Sequence, residues 1–151
     1  MANWKKILVA VDETATAEQA LRYVGEVISS PAGLQISLLY IYPEPSAAQV
    51  QNGLDVRDYQ LQRDAAGQQI LARSHDILAS YGIPAEQITS ICRMATSETI
   101  SKTILQVQAD GEYGTVVVGK RGVSKAEEFL FGSISNTMVR NSRGFAVLVV
   151  G

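Results

Sequence analysis

The chain has 151 residues and a formal charge of −2 at pH 7, with 46% hydrophobic and 19% charged residues. These are ordinary globular values, which exclude disordered and low-complexity classes. The acidic balance argues against an electrostatic grip on nucleic acid, and one cysteine with one histidine builds neither an internal disulfide nor a Cys-rich zinc site.

The first apolar run, residues 7–11, follows two lysines. It is too short for a signal-peptide core or a membrane span. No other segment approaches about 20 apolar residues, so the expectation is a cytoplasmic protein without membrane contact. Being continuous and partly β-branched, residues 7–11 read as a strand buried on both faces. Trp4 reads as a packing residue at its start. A helix follows, with Thr16 as N-cap and Gln19 completing a capping box. Ala20, Leu21, Val24, Val27 and Ile28 form its apolar face. Residues 34–42 are a second strand, stopped by Pro43-Glu44-Pro45, and a polar loop continues through Asn52-Gly53.

A long helix spans residues 55–81, with Ile70, Leu71, Ser74, Leu78 and Tyr81 as its buried stripe and Gly82 as its C-cap. Residues 87–94 form a third strand. Thr96 or Ser97 caps the next helix, whose inner face is Ile100, Ile104 and Val107. Gly111 and Gly114 flank a turn into a fourth, strongly β-branched strand at residues 115–118. A glycine-bearing loop then leads to a short helix over residues 133–141, and residues 145–150, Phe145 to Val150, are the fifth strand. His75 reads as a boundary histidine of the long helix and Cys92 as a small packed residue. Tyr40 and Tyr42 either border a ligand or pack in the core.

The alternation βαβαβαβαβ implies an α/β fold. We expect an open five-stranded parallel sheet, order 3-2-1-4-5, with helices on both faces and right-handed crossovers. Residues 1–151 read as a single domain without linker or repeat. In such sheets ligands bind beyond the strand ends where the winding reverses, here between strands one and four. The loops there begin at Asp12 and Gly119. The second carries Gly119, Gly122 and Gly132, the cations Lys120, Arg121 and Lys125, and the hydroxyls Ser133 and Ser135. Glycines and a helix N-terminus present N–H groups to an anion, which suits a phosphate chain. The same residues also fit turn glycines and an ordinary N-cap. No P-loop or dinucleotide fingerprint is present.

The spacing Gly-x2-Gly-x9-Gly-Ser, met by Gly119, Gly122, Gly132 and Ser133, resembles the ATP-binding signature of the universal stress protein family. Ile7-Leu8-Val9-Ala10-Val11-Asp12, Leu38-Leu39-Tyr40-Ile41, Val116 to Gly122 and Val147-Leu148-Val149-Val150 resemble that family's strands, so the likeness covers nearly the whole chain. It implies a Rossmann-like fold of the adenine nucleotide alpha hydrolase type. It further implies that Ala10 and Ile41 lie around adenine and that Asp12 lies near the ribose and metal-bound phosphates. Gly119, Lys120, Arg121 and Gly122 would run along ribose and phosphates, beside Lys125, and Gly132, Ser133, Ile134 and Ser135 would form the phosphate-binding helix start. The ligand implied is ATP or another adenine nucleotide with Mg²⁺, with Asp12 as the candidate metal ligand, in a stress-response signalling module with slow or no ATP hydrolysis.

The family also pairs as a homodimer through its last strand. Here that strand carries no Pro or Lys guard, and an unguarded edge invites pairing; shielding by residues 110–114 or an N-terminal arm is the monomeric alternative. Glu127-Glu128 stand where relatives often have Lys-Arg, and Ala146 where they often have Pro. Two rivals follow. One is a relative that binds no nucleotide and works through protein partners. The other is a phospho-acceptor receiver domain, suggested by Asp12-Glu13, although strand three ends Arg93-Met94-Ala95 without an acceptor Asp.

Overall fold

The computed structural model describes residues 3–28, 32–119 and 133–151, with the backbone alone at Ser133. In chain order the elements are β1 (Asn3–Ala10), α1 (Ala15–Val27), β2 (Gln35–Pro43), α2 (Ala47–Gln51), α3 (Val56–Ser80), a 3₁₀ turn (Ala85–Gln87), β3 (Ile88–Ala95), α4 (Ile100–Gly111), β4 (Tyr113–Gly119), α5 (Ser133–Asn141) and β5 (Ala146–Val150). The strands form one sheet, β3-β2-β1-β4-β5, and every pairing is parallel. This is the α/β order expected from the sequence.

A parallel sheet must be covered on both faces, and its side chains alternate between them. Ile7 and Val9 of β1, with Ile36, Leu38, Tyr40 and Tyr42 of β2, pack with Leu21 and Val24 of α1 and with Leu71 and Leu78 of α3. Leu8, Leu39, Val116 and Val118 face the other way, against Ile104 and Val107 of α4 and Met138 of α5. Leu8, Val9, Val116 and Val117 are fully buried. That explains why β1 and β4 read as continuous apolar runs.

Several local expectations are corrected. Thr14, not Thr16, caps α1, its side chain accepting from Ala17 N–H. Asp12 accepts the Thr14 N–H at 2.8 Å, which fixes the turn two residues earlier. Thr99, not Thr96 or Ser97, caps α4, because Ser97 lies in the left-handed region at φ 56°. The polar loop after β2 contains α2, started by a capping box between Ser46 and Gln49. Gly114 lies inside β4 and not beside a turn; the turn is made by Glu112, which ends α4 at φ 54°. Val27 and Trp4 are more than half exposed. Trp4 sits in the first part of β1, where the register against β4 shifts between Asn3 and Ile7, ahead of the stretch that the helices cover.

That shift explains Gly114. A Cβ there would strike the Asn3 carbonyl and the Trp4 nitrogen, and backbone cannot swing aside as a side chain can. Gly114→Ala should therefore lower stability by about 1–3 kcal/mol, the usual range for overpacking. The check is a lower urea midpoint at unchanged m-value.

Candidate functional site

The winding reverses at β1. The chain leaves β1 into α1 on one face, and leaves β4 towards α5 on the other. A cleft opens between these exits at the carboxyl ends of the strands. Ala10, Asp12, Ile41, Gly119 and Ile134 line it, as do Val11, Thr14, Ala17, Leu39, Ile100, Ile104 and Val118. Its empty space, open mouth included, is about 440 Å³. The first five were picked out from the sequence. Ser133 heads α5 and Ser135 lies in its first turn. Lys120, Arg121, Gly122, Lys125 and Gly132 lie outside the described residues, as do Glu127 and Glu128.

Each wall has a local cause. Leu39 and Ile41 alternate with the buried Tyr40 and Tyr42, so β2 turns its aliphatic side to the cleft and its tyrosines to α3. The tyrosines are therefore core residues and do not line the cleft. Ile100 opens α4 and Ile134 lies one residue into α5, so two helix starts converge on the same space. Gly119 ends β4 under the first turn of α1. A Cβ there would lie 2.7 Å from the Thr16 carbonyl carbon and 2.8 Å from the Ala17 nitrogen. Packing alone thus demands glycine at this position, whatever the cleft holds.

Asp12 is the carboxylate on the cleft wall. Its Oδ1 accepts the N–H and the hydroxyl of Thr14, and the Thr14 hydroxyl in turn accepts the Ala17 N–H at 3.2 Å. One oxygen of Asp12 is thereby turned into the positive end of α1. The main wall residues missed in the sequence were Thr14, Leu39 and Ile100. The alternation along β2 signalled Leu39, since it shares a face with Ile41. Thr14 and Ile100 depend on where the helices begin.

A second polar cluster lies on the opposite face of the sheet. Tyr42 donates to Asp64 Oδ1 at 2.7 Å, and the Cys92 thiol faces the same oxygen at 3.6 Å. The Arg63 guanidinium lies 5.4 Å from the Tyr42 ring centre, within cation–π reach. Burial, and then the bond to Asp64, holds the Tyr42 hydroxyl far above its usual range. Burial likewise pushes the Cys92 thiol up to about 11, helped by its bond to Asp64 and by that carboxylate's charge. A thiol kept protonated is a poor nucleophile, in line with the reading of Cys92 as a packed residue.

Among the described residues no group of three or more His, Cys, Asp or Glu gathers as a metal-ligand set. No helix among them is long and apolar enough to cross a membrane.

Comparison with known proteins agrees with this architecture. The model of the universal stress protein family matches residues 3–151, and the chain belongs to that family. Among solved structures, it is similar to the universal stress protein UspA from Lactobacillus plantarum at 17% identity, with TM-score 0.74 and both chains covered in full. It is also similar to the universal stress protein from Archaeoglobus fulgidus in complex with dAMP, at 16% identity, TM-score 0.63 and 96% of each chain. A universal stress protein family protein from Arabidopsis thaliana with AMP bound gives 16% identity and TM-score 0.63, over 96% of this chain and 91% of that one. No curated protein matches the chain.

The Cys92 thiol gives a pH prediction. In the unfolded chain it ionises near its ordinary value of 9.0, and in the folded chain near 11. The unfolded state therefore sheds the proton first. The contribution is fully present below pH 9 and is lost as the pH climbs through 11. Urea midpoints measured from pH 8 to 11 should fall more steeply for the wild type than for Cys92→Ala.

Proposed function

We propose that this chain is an adenine-nucleotide-binding universal stress protein, acting as a nucleotide-dependent module in stress response. The observation that carries the reading is the cleft at the winding reversal. Its aliphatic end (Ala10, Leu39, Ile41, Ile100) and its polar end (Asp12 and the start of α5) lie in one space. An apolar slot with a few placed polar groups is the common form of a small-molecule site. AMP and dAMP in the complexes of two structural relatives support the choice of ligand.

In this reading the base rests against Ala10 and Ile41, and Asp12 takes the ribose hydroxyls. The N–H groups at the start of α5, with Gly132, Ser133, Ile134 and Ser135, take the phosphates. Gly119, Lys120, Arg121, Gly122 and Lys125 run along ribose and phosphates. Mg²⁺ is commonly held by one or two carboxylates together with substrate phosphates. Asp12, a carboxylate in the cleft lining, would serve in that role, and the ion would enter with the nucleotide. Hydrolysis of ATP would be slow or absent, and the output would be one nucleotide-stabilised arrangement of residues 119–131, of which 120–131 lie outside the described residues. Ligand binding can shift such an arrangement only by its differential affinity for two states.

Equilibrium dialysis with ATP and Mg²⁺ tests the reading. The wild type should bind at or below millimolar ATP; absence of binding there favours a relative that acts through protein partners alone. Asp12→Asn keeps the oxygen that accepts from Thr14 and removes the charge. It should weaken Mg²⁺–ATP roughly ten-fold, the scale of one charge-assisted contact, with much less effect on adenosine.

We further propose a homodimer joined through β5. Support comes from its place at the sheet edge and its apolar sequence, since an unpaired edge offers its N–H and C=O groups to another strand. Leu148 packs against the core on the α1 face, so a charge there would disturb folding. Val149 is 42% exposed and is the cleaner probe. Sedimentation should give a dimer for the wild type and a monomer for Val149→Lys; a monomeric wild type would overturn the assembly.

A further inference from the structure

We propose that Glu44 is a positioning residue for the base end of the cleft, acting by clamping the loop that carries Ile100. The inference rests on the adenine-nucleotide reading above and adds to it a residue outside the cleft lining. Two bonds join Glu44, in the loop after β2, to the end of β3 and the loop that follows it. The Glu44 N–H donates to the Ala95 carbonyl at 3.2 Å. The Glu44 carboxylate accepts the Ser97 N–H at 2.7 Å. Ser97 is one of two non-glycine described residues with positive φ, at 56°. A residue other than glycine reaches that region at a cost of about 1 kcal/mol or more, so something must hold it there. The carboxylate is the partner placed to do so.

The consequence reaches the cleft by a short path. Ile41 lies three residues before Glu44, and Ile100 three residues after Ser97. Both line the cleft. Thr99 caps α4 through the Lys102 N–H at 3.2 Å, so the turn at Ser97 sets where α4 begins and how far Ile100 stands over the aliphatic end. With the clamp released, Ser97 relaxes out of the left-handed region and Ile100 loses its fixed place in the cleft wall it shares with Ile41. The effect falls on whatever occupies the aliphatic end and leaves the phosphate end alone.

The test is isothermal titration of adenosine, and separately of ATP with Mg²⁺, into the wild type, Glu44→Gln, Glu44→Ala and the double variant Glu44→Ala/Ser97→Gly. Glutamine keeps an oxygen for the Ser97 N–H and should bind as the wild type does. Alanine should weaken adenosine and ATP by the same factor, about three- to ten-fold, which is the worth of one hydrogen bond. Glycine at position 97 takes positive φ without strain and should recover part of that loss. The proposal is overturned if Glu44→Ala binds both compounds as the wild type does, if it loses affinity for ATP alone, or if glutamine fails as badly as alanine. A wild type that binds neither compound removes the nucleotide reading and this role together. A binding wild type with an indifferent Glu44→Ala removes the role of Glu44 alone. Circular dichroism shows whether Glu44→Ala folds. If it does not, hydrogen exchange at the wild-type Ser97 amide decides: slower exchange with adenosine supports the clamp, and unchanged exchange overturns it.

Discussion

The cleft exists because β1 is the hinge of the winding. From β1 the chain steps through α1 to β2 and through α3 to β3, always in one direction. It then crosses by α4 to the far side of β1 and continues through β4 to β5. Helices α1 and α3 cover one face, and α4 and α5 the other. The exits of β1 and β4 therefore lead to opposite faces, and among the described residues a cleft opens between them at the carboxyl ends of the strands. Both strands are pinned by burial, with Leu8, Val9, Val116 and Val117 wholly out of water. Each such side chain contributes roughly 1.5–3 kcal/mol when fully buried. The floor of the cleft thus rests on strands that are fully buried.

Its rim is built differently, from backbone-directed polar contacts. Asp12 and Thr14 organise the start of α1, Thr99 the start of α4, and Glu44 the turn before it. A hydroxyl cap of this kind is worth about 0.5–1.5 kcal/mol, and a bond to a carboxylate about 1.5–3 kcal/mol before solvent screening. They contribute modestly to stability, but they decide where helix ends and side chains stand around the opening. Gly119 joins the two regimes, since the absence of a side chain lets the first turn of α1 sit directly on the end of β4.

The two faces of the sheet carry different chemistry. On the α4 and α5 side the β2 residues at the strand end are aliphatic, and the space above them is open. On the α3 side the neighbouring residues are Tyr40 and Tyr42, and the space is filled by their rings, by Arg63 and by the Asp64–Cys92 pair. Gly67 of α3 completes that closure: a Cβ there would lie 2.6 Å from the Tyr40 ring. A single strand with period two therefore supplies a ligand wall on one side and a closed core on the other.

The sequence by itself determined the alternation of strands and helices, and with it a parallel α/β sheet, because continuous apolar runs and helical stripes are local and their periods survive any packing; the order 3-2-1-4-5 was an expectation from the fold class, and the pairings of β1 with β2 and β4 bear it out. The strand ends pointed to Asp12 and Gly119, and the resemblance to the universal stress protein family added Ala10, Ile41 and Ile134; all five line the cleft. Only the tertiary structure decided the rest. Thr14 caps α1 because Asp12 folds back onto it. Thr99 caps α4 because a carboxylate 53 residues away in sequence holds Ser97 in an unfavourable turn. Trp4 stays exposed because the β1–β4 register shifts just beyond it. Gly119 and Gly114 are required by neighbours from distant parts of the chain, Thr16–Ala17 and Asn3–Trp4. Each of these depends on a contact between segments far apart in sequence, and no local period carries that information.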